Sequence, residues 1–281
     1  MELVTSANEF YHIIRNFKKN HHKDYDTNFY MTKDIVSQLI EDGMLYIEVE
    51  SDVVWIYKSN QKFYNAWFYS AKNQDFALLP KDKDIVVAIL GNQERYDTKI
   101  ENRLAASGFQ KWNKNLEYVT VLKNHKEIKR QADDFKSYFE RNGFKMREAR
   151  KEDYEEMKKL CEDVIDRYAI EDFTSKEMKQ IFGNGQSIVF MDKNEKIVAT
   201  DIYLVSGKTI LSSYIAVAPE LNGKGLGAAC MLCMQKKAVE LGYDKILAWK
   251  WENNTASIRL TKRIAEPTGK FSQQFVLFAK G

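Results

Sequence analysis

The six residues Asn222-Gly223-Lys224-Gly225-Leu226-Gly227 constrain this chain more than any other feature. They follow the β-favouring run TILSSYIAV (209–217) and open Gly225–Leu241, where apolar residues recur at 226, 229, 230, 233, 234, 238 and 241 and predict a helix. Glycines at 223, 225 and 227 allow turns closed to other residues and let a ligand approach the backbone. The first amides of a helix lack intrahelical acceptors and carry the positive end of its dipole, so they form an anion site that suits a pyrophosphate. Two other glycine loops are excluded by context. A dinucleotide-binding turn follows the first strand of a parallel unit, whereas three strands in a meander precede this one. A Walker loop needs Gly-Lys before Ser or Thr, and Lys224 is followed by Gly225.

The surrounding pattern gives the order of elements. A strand is expected at Phe144–Glu148, then a helix with Tyr154, Met157, Leu160, Cys161 and Val164 on one face, then a short helix at Ser175–Phe182. The runs QSIVFMD, KIVATDIYLV and TILSSYIAV read as successive strands, with turns at Lys193-Asn194 and Ser206-Gly207. Gly242 is placed to close the long helix in a left-handed cap. DKILAWKW is a further strand, NNTASIRLTKRI a helix and FSQQFVLFA a last strand, giving β-α-α-β-β-β-α-β-α-β.

The first half holds a weaker copy of this ending. A meander of LYIEVE, VVWIYK and FYNAWFYS precedes the strand DIVVAIL, a helix over ERYDTKIENRLAASGF closed by Gly108, and the strand LEYVTVL. Where the second half has its glycine loop and helix, this half has only the short polar connection Lys72–Lys83. Between the halves, Asn124–Asn142 is highly charged, with Ile128, Ala132, Phe135 and Phe139 at helical spacing. It reads equally as a connecting helix or as one packed within a domain. The expected division is a first domain at 1–123, a connecting helix at 124–143 and a second domain at 144–281.

Composition narrows the function classes. Lys and Arg total 43 against 40 Asp and Glu, a formal net charge of +3 that argues for neither a nucleic-acid nor a membrane partner. No apolar run reaches the roughly 18 residues of a membrane span, and MELVTSANEF lacks the form of a signal peptide, so a cytoplasmic protein is expected. Cys161, Cys230 and Cys233 do not form a disulfide framework, and Cys230-x-x-Cys233 lies inside an apolar helix, where core cysteine is the expectation. His12, His21, His22 and His125 all lie in the first half without further ligands at metal spacing, so no metal is expected.

The segments SSYIAVAPELNGKGLGAACM and ENNTASIRL resemble the GCN5-related N-acetyltransferase (GNAT) superfamily, over roughly Phe144–Leu277. The resemblance implies an α/β acyl-CoA N-acyltransferase fold: a mixed, mostly antiparallel sheet flanked by helices, in two tandem units of which the first is degenerate. It implies transfer of an acetyl or other acyl group from acyl-CoA to an amine of a small molecule or protein. The family carries a Gln/Arg-x-x-Gly-x-Gly/Ala loop whose amides hold the coenzyme A pyrophosphate; Gly225 and Gly227 match, and Asn222 stands where Gln or Arg is usual. Gly223, Lys224, Leu226 and Ala228 complete that loop, backbone groups of Ile215, Ala216 and Val217 are expected to pair with the pantetheine arm, and Asn254 matches a position that contacts it. Asn254 also suits a helix cap.

The proton-transfer groups depart from the family. A tyrosine commonly follows the Leu of the last helix, but Thr261 follows Leu260; a Glu sometimes sits on the fourth strand, which here reads Leu211-Ser212-Ser213-Tyr214. Tyr214, Tyr203 and Asp201 stand as candidates beside water relays and plain positioning, which alone supplies effective molarities of about 10⁵ M or more. The acidic residues Glu162, Asp163, Asp166, Glu171 and Asp172 suit a cationic acceptor or a solvated helix face. Trp249 and Trp251 share one face of their strand and line a pocket or form core. Two alternatives remain: a carrier-protein thioester (or aminoacyl-tRNA, disfavoured without a long basic arm) as donor, and a non-catalytic acyl-CoA-binding protein.

Overall fold

The computed structural model describes residues 1–22, 24–72, 76, 81–93 and 98–279. Their contacts divide the chain into two units, Met1–Leu116 with Gly269–Gly281, and Glu117–Thr268.

The first unit runs β1 (Glu2–Leu3), α1 (Ala7–Asn20), β2 (Tyr25–Thr27), α2 (Lys33–Glu41), β3 (Leu45–Val49), β4 (Val53–Ser59), β5 (Phe63–Ala71), β6 (Asp84–Asn92), α3 (Lys99–Ala106) and β7 (Gln110–Val121), whose last residues belong to the second unit. Strands β3, β4 and β5 form the expected antiparallel meander, and β6 pairs parallel to β5. Aromatic side chains fill one face of this sheet: Trp55, Tyr57 and Phe68 are fully buried and pack with Phe76 and Phe109. The sequence pattern did not single out α1 and α2. Both are mostly polar, with a narrow inward stripe at Phe10, Ile14 and Phe17 in one and Val36 and Leu39 in the other, and each is capped by a hydroxyl, Ser6 and Thr32. The helix expected from Glu94 begins at Lys99, residues 94–97 lying outside the described part of the chain, and Gly108 follows it at φ +88°.

The second unit runs α4 (His125–Arg141), β8 (Lys145–Glu148), α5 (Tyr154–Val164), α6 (Ser175–Gly183), β9 (Ser187–Met191), β10 (Ile197–Ser206), β11 (Thr209–Val217), α7 (Leu226–Glu240), β12 (Lys245–Trp251), α8 (Thr255–Thr261) and the start of β13 (Glu266–Leu277). The order of strands and helices from β8 onward is the one read from the pattern. Strands β8 to β11 are antiparallel neighbours, and β12 joins β11 in parallel. A parallel pair requires a crossover, and α7 supplies it. That helix buries Leu226, Ala229, Cys230, Cys233, Met234 and Ala238 because it is covered on two sides, by the sheet and by α4. Helix α4 turns Ala132 and Phe139 inward, and Lys236 of α7 reaches its Asp133 at 2.6 Å. On the other side of the sheet α5 buries Met157, Leu160 and Cys161, and α6 opens with a reciprocal Thr174–Glu177 capping box.

The last strand parts company with the half of the sequence that precedes it. Residues Lys270–Leu277 pair antiparallel with Asn92–Ile85 of β6, so the segment groups with the first unit, whereas the sequence boundaries kept it with 144–281.

Candidate acyl-donor site

The site is built where β11 and β12 part. Their parallel pairing runs over Thr209–Ser212 and Lys245–Ala248 and stops. Beside that point β11 carries a bulge: Tyr203 of β10 faces Ser212 while Ile202 faces Tyr214, leaving Ser213 extra. Strand β11 continues to Val217 with β10 on one edge and, among the described residues, no strand on the other. An unpaired stretch of backbone inside a sheet is a ready partner for an extended amide-bearing ligand. Ile215, Ala216 and Val217 all lie on it.

The glycine loop stands at the end of this stretch. Gly223 and Gly225 have φ of +79° and +90°, and Gly225 caps α7 in the left-handed conformation that residues with a β-carbon avoid. The first intrahelical bond runs from Ala229 N–H to Gly225 C=O, so the amides of Leu226, Gly227 and Ala228 have no helical acceptor. No acidic side chain sits in the first turn of α7. Asn222, Gly223 and Lys224 are exposed beside it. A β-carbon on Gly227 would touch Val217 of β11 and Leu260 of α8, at 3.9 and 4.0 Å, so all three elements converge there. Asn254 caps α8, its side chain accepting from Ser257 N–H at 3.0 Å, and is itself exposed.

The candidate proton-transfer residues separate onto two faces. Tyr214 lies on the α5 face in a small recess with Tyr154, Lys158, Cys161, Phe173 and Ile202. Its hydroxyl accepts from Glu171 N–H at 3.0 Å, and burial pushes its pKa up. Of the acidic residues expected near an acceptor, Asp172 pairs with Lys158 at 3.0 Å and Asp166 caps Tyr168 N–H. Tyr203 lies on the α7 face, is fully buried, and gives its hydroxyl proton to Gly185 C=O at 3.1 Å. Asp201, on the same face, is also fully buried, and neither carboxylate oxygen has a hydrogen-bond partner. Burial raises its pKa well above the usual carboxylate range, an effect that Lys250 opposes.

Lys250 was not a candidate in the sequence. It stands two residues past the last β11–β12 pair, and burial lowers its pKa against the pull of Asp201. Its signal was a lysine between two tryptophans on a strand whose alternate residues Ile246 and Ala248 face inward. Trp249 and Trp251 point the other way and are 38% and 40% exposed. Cys161, Cys230 and Cys233 are buried free thiols, with Cys161 and Cys233 pushed up to about 12 by burial. The described residues hold no cluster of His, Cys, Asp and Glu fit for a metal and no helix long and apolar enough to cross a membrane.

Residues 145–265 match the model of the acetyltransferase (GNAT) family. This segment is a GNAT acetyltransferase domain. No curated protein matches the chain by sequence. Among solved structures, a GCN5-related N-acetyltransferase from Sphaerobacter thermophilus shares the fold over 100% of this chain and 95% of its own, at 10% identity and TM-score 0.57. A tandem GNAT protein from the clavulanic acid biosynthesis pathway does so over 99% and 98%, at 8% identity and TM-score 0.56. A GCN5-related glucosamine N-acetyltransferase region of a fungal multi-domain GH3 β-N-acetylglucosaminidase covers 98% of this chain with 38% of its own, at 10% identity and TM-score 0.60. At such identities the likeness is one of fold, and the fold is that of tandem GNAT units.

The first unit repeats the parting of parallel strands and fills it. Pairing of β5 with β6 stops at Ala66–Val87, and at Tyr69–Ala71 the free edge of β5 is taken by β2. Asn28, next along, donates to Ala66 C=O and Ala88 C=O and accepts from Phe68 N–H at 2.7 Å, while Thr27 donates to Phe68 C=O at 2.6 Å. Where the GNAT domain of the second unit leaves an open edge, this unit has its own chain.

Proposed function

We propose that the second unit takes an acyl group from acetyl-CoA or a related acyl-CoA and transfers it to an amine. Membership of residues 145–265 in the GNAT family supports acyl transfer from a coenzyme A thioester in general terms. The observation that carries the reading for this chain is the open edge of β11 from Ser213 to Val217, leading to three acceptor-free amides at the start of α7. The edge suits the amides of a pantetheine arm, and the helix start suits the pyrophosphate at its end. Ile215, Ala216 and Val217 would hold the first, and Gly223, Gly225, Leu226, Gly227 and Ala228 the second, with Lys224 adding charge at the mouth. Asn254 would reach the same arm only by giving up its cap on Ser257.

An alkylamine acceptor, with pKa near 10, must lose a proton before it attacks. It would enter from the α5 face, where Glu171 and Asp172 adjoin the recess under Tyr214. Amides around the Ser213 bulge, freed from strand pairing, are placed to stabilise the oxyanion that develops on the thioester carbonyl.

The test pairs calorimetry of coenzyme A binding with a thiol-release assay using acetyl-CoA and a panel of amines: spermidine, glucosamine and a peptide N-terminus. Binding with turnover of at least one amine supports the reading. Binding without turnover supports a second reading, an acyl-CoA-binding protein without catalysis, which Thr261 in the place of the family's tyrosine favours. Absence of both overturns the site.

A further inference from the structure

Asp201 on β10 and Lys250 on β12 are opposite ionisable groups that stand on either side of β11 without bonding. Strand register puts them on one face. Tyr203 stands opposite Ser212, and Ser212 opposite Ala248, so Asp201, two residues before Tyr203, and Lys250, two after Ala248, both point toward α7. Each alters the ionisation of the other. Yet neither carboxylate oxygen of Asp201 has a hydrogen-bond partner, Lys250 included. Between them runs the part of β11 that has lost β12, from Ser213 to Ile215. Buried polar groups are almost always satisfied, so a side-chain pair left open on both sides of a strand gap marks a place where something else completes the bonding.

Resting on the acyl-CoA reading above, we propose that Lys250 protonates the departing coenzyme A sulfur, with Asp201 as the positioning partner whose charge acts on it across β11. Thr261 has no phenol, and its hydroxyl is itself buried without a partner. Tyr203 is committed to Gly185 C=O and Tyr214 to Glu171 N–H, on opposite faces. Lys250 is partly exposed and lies where the gap begins, while Asp201 is fully buried, and its charge helps to raise the pKa of Cys230 and Cys233 of α7. The two groups act on each other across β11 without contact: the Asp201 carboxylate favours the charged amine, and burial opposes it. Burial favours the neutral forms, which brings the lysine's acidity closer to that of a thiol.

The step balances. The acceptor nitrogen forms a bond to the thioester carbon, the carbon–sulfur bond breaks with its electron pair on sulfur, and Lys250 supplies the proton that makes the free thiol. The nitrogen of the new amide then releases its surplus proton to solvent, and solvent returns one to Lys250. No other reactant is needed.

The experiment uses the full chain with Lys250→Met, Asp201→Asn and Lys250→Cys, the last before and after alkylation with 2-bromoethylamine, which rebuilds a lysine-like amine. Each is measured by calorimetry with coenzyme A and by thiol release from acetyl-CoA with whichever amine of the panel the wild type turns over. Lys250→Met is expected to bind coenzyme A within about threefold of wild type while kcat falls about 100-fold or more, the usual worth of a positioned acid. Alkylation of Lys250→Cys is expected to restore at least about tenfold in kcat by the same reasoning, and the buried Cys161, Cys230 and Cys233 leave the treated wild type as control. A kcat within threefold of wild type in Lys250→Met, or an alkylated cysteine variant no faster than the untreated one, overturns the proposal and leaves the acyl-CoA reading standing. A wild type that fails to bind coenzyme A overturns both.

Discussion

Alanine at Gly225 tests the donor site most directly when compared with alanine at Gly207. Both glycines have positive φ, +90° and +60°. Neither would clash: a β-carbon at Gly225 meets only Phe139 Cζ at 3.7 Å, and one at Gly207 meets nothing within 4 Å. The cost of each substitution is therefore backbone strain alone, about 1–2 kcal/mol. For a unit of this size that lowers Tm by roughly 3–6 °C. The two variants should melt alike and bind differently. Gly207 lies in the β10–β11 turn, whereas Gly225 aims the amides of Leu226, Gly227 and Ala228, and relief of its strain turns them away. Loss of one charge-assisted bond to a phosphate, about 1.5–3 kcal/mol, weakens coenzyme A about 10- to 100-fold. Differential scanning calorimetry and titration calorimetry give both quantities. Equal coenzyme A affinity in the two variants, at equal loss of Tm, would refute the assignment of the helix start.

Asp153 accepts two bonds from the Arg147 guanidinium and one from Arg150 N–H, and the Arg147 bonds do most to lower its pKa. A lowered folded pKa gives stability that is present above the unfolded value of 3.8 and lost as pH falls through the folded one; Asp153→Asn should cost about 1–2 kcal/mol at neutral pH, and urea titrations should show the gap closing below that value. In the first unit, Asn28→Ala removes three bonds bridging β5 and β6, and should cost about 2–3 kcal/mol without altering coenzyme A affinity; a change in that affinity would count against the assignment of the donor site to the second unit. Thr174→Ala deletes the side-chain half of the α6 capping box, where the hydroxyl accepts from Glu177 N–H, an expected loss of about 1 kcal/mol by chemical denaturation.

The glycine loop was legible because its information is local: positive φ at 223 and 225 restricts the residue type, and a helix start needs no distant partner to be an anion site. The strands around it were legible for a similar reason, since alternation and turn residues are written along the chain. Helices α1 and α2 were not, because a stripe as narrow as Phe10, Ile14 and Phe17 in a mostly polar segment becomes significant only once a sheet lies beneath it. The destination of β13 was hidden more deeply. The run FSQQFVLF suits any half-buried strand, and that it meets β6 depends on which edge is vacant in three dimensions. The bulge at Ser213 and the placing of Asp201 and Lys250 on either side of β11 depend on register between three strands, so the sequence offered Asp201 as a candidate and passed over Lys250.

The self-filled gap of the first unit has a thermodynamic corollary. A strand edge completed by Thr27 and Asn28 is held at an effective concentration no dilution can change, so its order is independent of any solute. If coenzyme A fills the matching edge of the second unit as proposed, the order of that edge follows donor concentration by mass action, gaining about 2.7 kcal/mol at a hundredfold excess over Kd. Amide hydrogen exchange should divide the chain accordingly: protection of β5 indifferent to coenzyme A, and protection of β11 from Ser213 to Val217 rising with it.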